Sequence, residues 1–311
     1  MPSPFFSVVI PVYRTEVFLA ECLGSLRAQT FADFECLVVD DGSLGVDQAG
    51  GLLTCTTVLG STCLGDSRFR LLRQENRGQG FARQFGIDQA SGRYLVLVDA
   101  DDRLDADFLE IAHERLFQSA PNTLCFNQVA VFTPQGDRSF ASTQRFVPAV
   151  NTLKSALVFP SYTLTPVNYF YDIARLREAG VAYRVGQAGE DTYFFFDYIH
   201  AWFEREGKLP LLREIPAVYR YRIDPAAAST TRDKAFDERL YRHHLAYFGT
   251  RLPDFYRWGG IYGLLARLFL WRQHLYLARL GATNPLSRFC LNISVKALTA
   301  GALLISGTRR G

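Results

Sequence analysis

Five aspartates fall within nine positions, at Asp99, Asp101, Asp102, Asp105 and Asp107, directly after the apolar run Leu95–Val98. Like charges this close repel, so the run needs something that compensates it. Asp99 and Asp101 stand at i and i+2, on either side of Ala100, a spacing that lets two carboxylates converge on one hard cation from a loop. Such a cation commonly bridges a phosphate substrate. A calcium hand is excluded, because Arg103 stands where a ligand oxygen is needed and no glycine follows at the required place. A solvated turn also accounts for the pair when it is taken alone.

Three other stretches carry chemistry. In "VVDDGS" the glycine permits a tight turn after Asp40 and Asp41, and a carboxylate there can accept hydrogen bonds from a nucleobase N–H or ribose hydroxyls. Turn closure between a strand and a helix is the bland alternative. In "ENRGQGFARQFGI" Gly78 and Gly80 open a helix whose first N–H groups can face an anion, and Arg83 lies about one turn in, able to reach a phosphate or the aspartates. The dinucleotide fingerprint fails there, since Arg83 occupies the place of its third glycine. Glu190 and Asp191 follow Gly189 at the start of an aromatic helix. Acids there suit either a helix dipole or a general base.

These residues need elements to position them. Apolar, β-branched runs predict buried strands at Phe6–Tyr13, Phe34–Ser43, Phe69–Gln74 and Arg93–Ala100. Helical spacing predicts a helix over 15–29 with Thr15 as its N-cap, a short helix within 44–67, and a helix opening at Gly78. Alternation of this kind means a mainly parallel sheet covered by helices on both faces, with ligands outside the carboxyl ends of its strands. Tyr13, Asp40, Asp41, Asn76, Asp99 and Asp101 all fall at those ends, which describes one site better than four accidents. Beyond residue 107 a helix is expected at Phe108–Gln118, capped by Asp105 and Asp107. Strand-like runs follow at Thr123–Thr133 and Ile215–Asp224, with a helix at Gly189–Phe203 between them. This half is expected to continue the same sheet.

Bulk composition sets the frame. The chain has 311 residues, 48% hydrophobic and 21% charged, with a formal net charge of +3. Residues 251–311 hold nine Arg or Lys and a single acid, Asp254, while the rest of the chain is slightly acidic. Helical apolar spacing runs through 257–280, with Arg267, Arg272 and Arg279 placed on the polar side. A second helix follows, with Thr283 or Asn284 able to cap it and Pro285 in its first turn. Its longest uncharged stretch is far short of the roughly 20 residues that span a bilayer, so an interfacial helix on an anionic membrane is expected. The basic residues alternate with Leu, Phe and Trp, which argues against nucleic acid. Six scattered cysteines form neither a CxxC pair nor a metal cluster and read as small buried hydrophobes. The start "MPSPFFSVVIPVYR" reads as neither signal peptide nor anchor, so a cytoplasmic protein is expected, peripheral at the inner face of the plasma membrane through its tail.

Taken together, "SVVIPVYR", "LAECLGSLRAQTFADFECLVVDDGS", "ENRGQGFARQFGI", "ASGRYLVLVDADDRLDADFLE" and "GEDTYFF" resemble family 2 glycosyltransferases, in that family's order and spacing. The resemblance is strong to about residue 110, thinner to about 230, and absent from the tail. It implies the GT-A fold: a catalytic domain over 1–230, with its nucleotide-sugar half in 1–110 and its acceptor half in 111–230. A helical extension would occupy 231–311. It implies inverting transfer of a sugar from a nucleotide-diphosphate sugar, UDP most commonly, to an acceptor hydroxyl. The acceptor would be a glycan or lipid-linked glycan in bacterial surface polysaccharide synthesis.

By resemblance, Pro11, Val12 and Tyr13 line the base of the nucleotide, with Asp41 reading it beside Asp40. Asn76, Gly78 and Arg83 flank the donor. Asp99, Ala100 and Asp101 form the DxD motif, with Asp101 the direct ligand of Mn²⁺ or Mg²⁺ and Asp99 nearer the sugar. Asp191 matches the catalytic base, with Glu190 beside it. Tyr219, Arg222 and Ser229 match a stretch that closes over the phosphates. Two departures stand out: Arg14 replaces the usual asparagine after the opening tyrosine, and the segment after "DDGS" lacks the usual charged helix. The alternative in another class is a non-catalytic relative that binds a nucleotide or a partner. A nucleotidyltransferase would want a basic, Gly-rich loop after the first strand, and "PVYRTEV" is not one.

Overall fold

All seven residues of β1 (Phe6–Val12) are buried. A strand without a solvent face has to be apolar throughout, and that requires cover on both sides. In the computed structural model, which describes residues 3–43, 45, 53–134, 136–137, 166–223 and 234–281 with isolated residues between 294 and 302, β1 lies between β2 (Phe34–Asp40) and β4 (Tyr94–Leu97), parallel to both. β3 (Phe69–Arg73) extends the sheet parallel to β2. The short β8 (Tyr171–Asp172) pairs antiparallel with β4 at the other edge. The connections run through α1 (Glu16–Arg27), α2 (Cys55–Thr62) and α3 (Gln79–Gln89). Inside this layer Glu35 accepts hydrogen bonds from Ser7 Oγ at 2.7 Å and from Ser91 N–H and Oγ at 2.6 and 2.8 Å. Burial pushes the Glu35 carboxyl up, but these bonds and the Arg70 charge outweigh it and leave the pKa lowered.

The expectation of one continuous sheet is not met. β6 (Thr123–Thr133) and β9 (Leu211–Arg222) pair in parallel in a second, four-stranded sheet, flanked by β5 (Arg103–Leu104) and β7 (Gly136–Asp137). The free edge of β4 is occupied by Asp172 and Tyr171, opposite Tyr94 and Leu95, while β6 meets the chain just before them through a bridge between Phe126 and Tyr169. α4 (Phe108–Phe117) follows β5. α5 (Ile173–Glu178) follows β8 and is capped by Asp172, whose carboxylate accepts the Arg175 N–H at 3.0 Å. Two expected caps are not used. Thr15 stands at the start of α1 without a side-chain cap bond, and the same holds for Asp107 at α4.

Contacts gather the described residues into two compact units. One holds both sheets, within 1–143, 166–185 and 211–230; the other lies within 186–210 and 231–311. The second is helical, with α6 (Glu190–Glu206), α7 (Lys234–Thr250), α8 (Leu252–Arg257) and α9 (Gly260–Gly281). The helix that begins at Glu190 therefore groups with the C-terminal helices. Its core is aromatic: Phe196 meets Phe248, Phe255 and Trp258, and Phe248 lies 4.6 Å from Phe269. Each such ring contributes on the order of 2 kcal/mol by leaving water. Arg272, expected on the polar side of α9, is buried and lies over the Phe269 ring at 5.2 Å; Arg267 and Arg279 are exposed. Among the described residues no helix is long and apolar enough to cross a membrane. The five cysteines within them are buried and free. Cys290 and Ser229 lie outside the described residues, and so does the expected second tail helix apart from isolated helical positions between 294 and 302.

Candidate active site

Parallel register sets the strand ends side by side. Val12 lies opposite Asp40, and Asp40 opposite Arg73. The turn after Asp41 needs glycine twice over. Gly42 has φ +75°, and a Cβ there would stand 2.7 Å from the Asn76 backbone nitrogen. Asp41 is buried, and its carboxylate accepts from Gln74 Nε2 at 2.7 Å, Arg77 N–H at 3.0 Å and Gly78 N–H at 2.9 Å. It ties the loop bearing Asn76 to the start of α3. Asp40 is the partly exposed member of the pair, with Oδ1 accepting the Ser43 N–H at 3.0 Å. Pro11 and Val12 are buried in β1, and Tyr13 is half-exposed with the Arg14 guanidinium 5.0 Å from its ring centre. Arg14 is the one described non-glycine residue with positive φ, +58°. That region tolerates asparagine better than arginine.

The aspartates separate into different jobs. Asp99 Oδ1 pairs with Arg83 at 2.7 Å and accepts from Gln79 Nε2 at 3.2 Å, so the first turns of α3 reach both Asp41 and Asp99. The Arg83 side chain is only 2% exposed, a cation buried where it neutralises one member of the cluster. Asp102 is buried beneath the loop. Tyr219 Oη donates to its Oδ2 at 2.6 Å and accepts the Asp99 N–H at 3.1 Å, while the Arg222 N–H donates to Asp102 Oδ1 at 2.7 Å. The Arg222 guanidinium donates to the Asp101 carbonyl at 2.6 Å and pairs with Glu21. Tyr219 and Arg222 thus brace the loop from β9. Glu21 carries no signal in the sequence that would have found it. Asp105, expected to cap α4, pairs instead with Arg220. The antiparallel register Arg103↔Arg220 brings that guanidinium alongside, and an ion pair outcompetes a cap bond.

Asp101 remains. It has no ion-pair partner among the described residues. Burial, and next the Asp99 charge, pushes its carboxyl up to about 6, with Arg222 acting against them. Asp102 is pushed up by the same causes in the same order: burial, then Asp99, then Asp101. Acids this crowded and this incompletely neutralised fit a hard divalent cation, and all the donors are oxygens. Among the described residues no three His, Cys, Asp or Glu side chains form a complete cage. An ion here would rest on one or two carboxylates, with substrate phosphates completing its shell, as Mg²⁺ sites commonly do.

Glu190 and Asp191 belong to the second unit. Both are half-buried in the first turn of α6, where the helix dipole favours an acid. The residue before them, Gly189, is left-handed with φ +86°. A groove of about 470 Å³ runs along α2 and β3, lined by Thr56, Leu59, Cys63, Leu64 and Phe69 among others; none of the sequence-predicted site residues lines it.

Comparison with known proteins bears on the family and the fold. The sequence profile of "Glycosyl transferase family 2" matches residues 7–180. The chain is 29% identical over 195 residues to the glycosyltransferase GlyA of Streptococcus pneumoniae, covering 60% of this chain and 27% of GlyA. It spans under half the length of the curated relatives it matches. Among solved structures, TarS 1–349 of S. aureus in complex with UDP-GlcNAc superposes with a TM-score of 0.63 at 19% identity, covering 96% of this chain and 79% of that one. The mannosyltransferase PcManGT of Pyrobaculum calidifontis, solved with GDP-Man and Mn²⁺, gives 0.54 at 16% identity over 99% of this chain and 87% of its own. Both likenesses are of fold, and the fold is GT-A.

Proposed function

Because the chain belongs to glycosyltransferase family 2 and has the GT-A fold, we propose that it transfers a sugar, with inversion, from a nucleotide-diphosphate sugar to an acceptor hydroxyl. The observation that carries this reading is Asp101, an under-neutralised carboxylate at the carboxyl edge of the sheet beside the braced Asp99. TarS was solved with UDP-GlcNAc and PcManGT with GDP-Man and Mn²⁺, which supports a nucleotide-sugar donor and a divalent ion. Asp101, with Asp99, would hold that ion, and the ion would neutralise charge gathering on the departing diphosphate. Tyr13, Asp40 and Asn76 border the donor. Arg83 and Tyr219 hold Asp99 and Asp102 in place. Asp191, with Glu190 beside it, takes the proton from the acceptor hydroxyl as its oxygen attacks the anomeric carbon.

The acceptor belongs to a surface polysaccharide or lipid-linked glycan, met at the inner face of the plasma membrane. The outward stripe of α9 supports contact with an anionic bilayer: Leu264, Arg267, Trp271 and His274 are exposed at helical spacing. Leu264→Glu with Trp271→Glu lowers sedimentation with anionic liposomes; equal sedimentation of the variant and the native chain would sink the membrane reading.

Labelled UDP-GlcNAc and GDP-mannose test the transferase reading, each with and without Mn²⁺. One of them raises Tm only when metal is present, and the label leaves the nucleotide on the sugar. Asp191→Asn keeps that thermal shift and loses about 10³-fold in turnover. Unchanged turnover in this variant removes Asp191 as base. A thermal shift without turnover in the native chain favours the non-catalytic relative, and label moving with the nucleotidyl group favours a nucleotidyltransferase.

A further inference from the structure

The start of α6 is built by a helix that comes after it in the chain. Ala188 donates its N–H to His243 Nδ1 at 2.9 Å, and Tyr193 Oη donates to the Ala188 carbonyl at 2.9 Å. A Cβ at Gly189 would stand 2.9 Å from both His244 Nε2 and Leu240 Cδ1, so α7 fills the space where residue 189 would have a side chain. Tyr193 is pinned in turn, 4.5 Å from the Tyr247 ring and edge-on to His244 at 5.8 Å. One turn further on, Tyr247 Oη donates to Asp197 Oδ1 at 3.0 Å, and Arg251 pairs with the same oxygen at 2.6 Å. Successive turns of α7, with Arg251 directly after it, thereby grip residues 188–197.

Helix packing alone would need only the apolar part of this. Leu240 and Phe248 already supply buried contact. His243 does something different: it is half-exposed, yet it gives a ring nitrogen to a backbone amide two residues before Glu190 and three before Asp191. We infer that His243 is a positioning residue, which fixes the approach to α6 and so the direction in which Glu190 and Asp191 are presented. The inference rests on the reading of Asp191 as base. Its bond requires Nδ1 to be unprotonated, since only then does the nitrogen accept. Losing one neutral hydrogen bond lets the 186–189 loop open about fivefold more often. A displacement near 1 Å at a reacting group can cost about 10²-fold in rate, so partial loosening predicts about a tenfold loss in kcat.

Two variants of the full chain test this. In His243→Asn the amide oxygen stands about where Nδ1 stood and can still accept; in His243→Leu nothing can. Hydrogen exchange over residues 186–193 rises about fivefold in the Leu variant and returns to within twofold of native in the Asn variant, with Tm little changed in either. With UDP-GlcNAc and Mn²⁺, kcat falls about tenfold in Leu and recovers in Asn, while the donor KM stays within twofold. Unchanged exchange in the Leu variant overturns the inference, and so does a native kcat in spite of looser exchange. A native chain that never turns over while its exchange responds overturns the transferase reading and leaves the clamp standing.

Discussion

In the loop from Asp99 to Asp102 most of the fixing side-chain contacts end on charge: Arg83 on Asp99, Tyr219 and the Arg222 amide on Asp102, and the Arg222 guanidinium on Glu21. At the start of α6 the contacts around Ala188 and Gly189 are neutral: an amide on an imidazole, a phenol on a carbonyl, and a missing Cβ where His244 and Leu240 press in. Both places present acids. The first leaves one acid, Asp101, without an ion-pair partner among the described residues, which is what the proposed cation site requires. The second spends its contacts on orientation. A charge-built site responds to removal of a charge, and a shape-built site responds to a change in fit or in the charge of its neutral groups.

The largest expected effect is on the charged side. Arg83→Met leaves Asp99 beside Asp101 and Asp102 without its buried partner, and costs about 3 kcal/mol of stability in urea denaturation. A loss below about 0.5 kcal/mol would mean that solvent neutralises the loop, and the contrast between the two regions would collapse.

On the neutral side the probe is pH. Burial pushes the His244 pKa down to about 4, with Gln273 acting upward and Arg272 and His243 downward. In the unfolded chain a histidine titrates near ~6.5, so as pH falls the unfolded state takes the proton first. The stability is complete above about 6.5 and drains away down to about 4, by about 2 kcal/mol between pH 7 and pH 5. His244→Leu should flatten that part of the profile. An equal slope in both proteins would show that the packing around Gly189 tolerates a charged ring.

The smallest effect concerns the opening loop. Arg14→Asn relieves about 1 kcal/mol of left-handed strain and gives up about 0.5 kcal/mol of stacking on Tyr13. The net gain of about 0.5 kcal/mol would appear as a Tm rise of a degree or two. A fall in Tm would mean that the Arg14–Tyr13 contact outweighs the strain.

The two regions also differ in how far the sequence discloses them. Strand ends advertise themselves through apolar runs followed by Asp, Asn and Gly, and the first sheet, α1, α3 and the gathering of Asp40, Asp41, Asp99 and Asp101 at strand ends follow from that punctuation. The bracing of Asp41, Asp102 and Asp105 does not, because their partners at Gln74, Tyr219 and Arg220 are set by register and by β9, more than a hundred residues on for two of the three. Nor does the second sheet, because the pairing of Tyr171 and Asp172 with the edge of β4 comes from far along the chain. A helical extension over 231–311 is expected from the resemblance, but not the bounds of α7 or its buried stripe at Leu240, His244, Tyr247 and Phe248.

The vacancy at Gly189 reaches beyond this one chain. Because Leu240 and His244 occupy the room its side chain would take, a tail transplanted from a relative must arrive with the residue 189 that suits it. Exchanging the segment after residue 233 by itself should yield chimeras whose α6 begins in the wrong direction. Exchanging it together with 186–193 should not. The tail and the helix start should therefore exchange only as one cassette, though some forty residues of sequence lie between them.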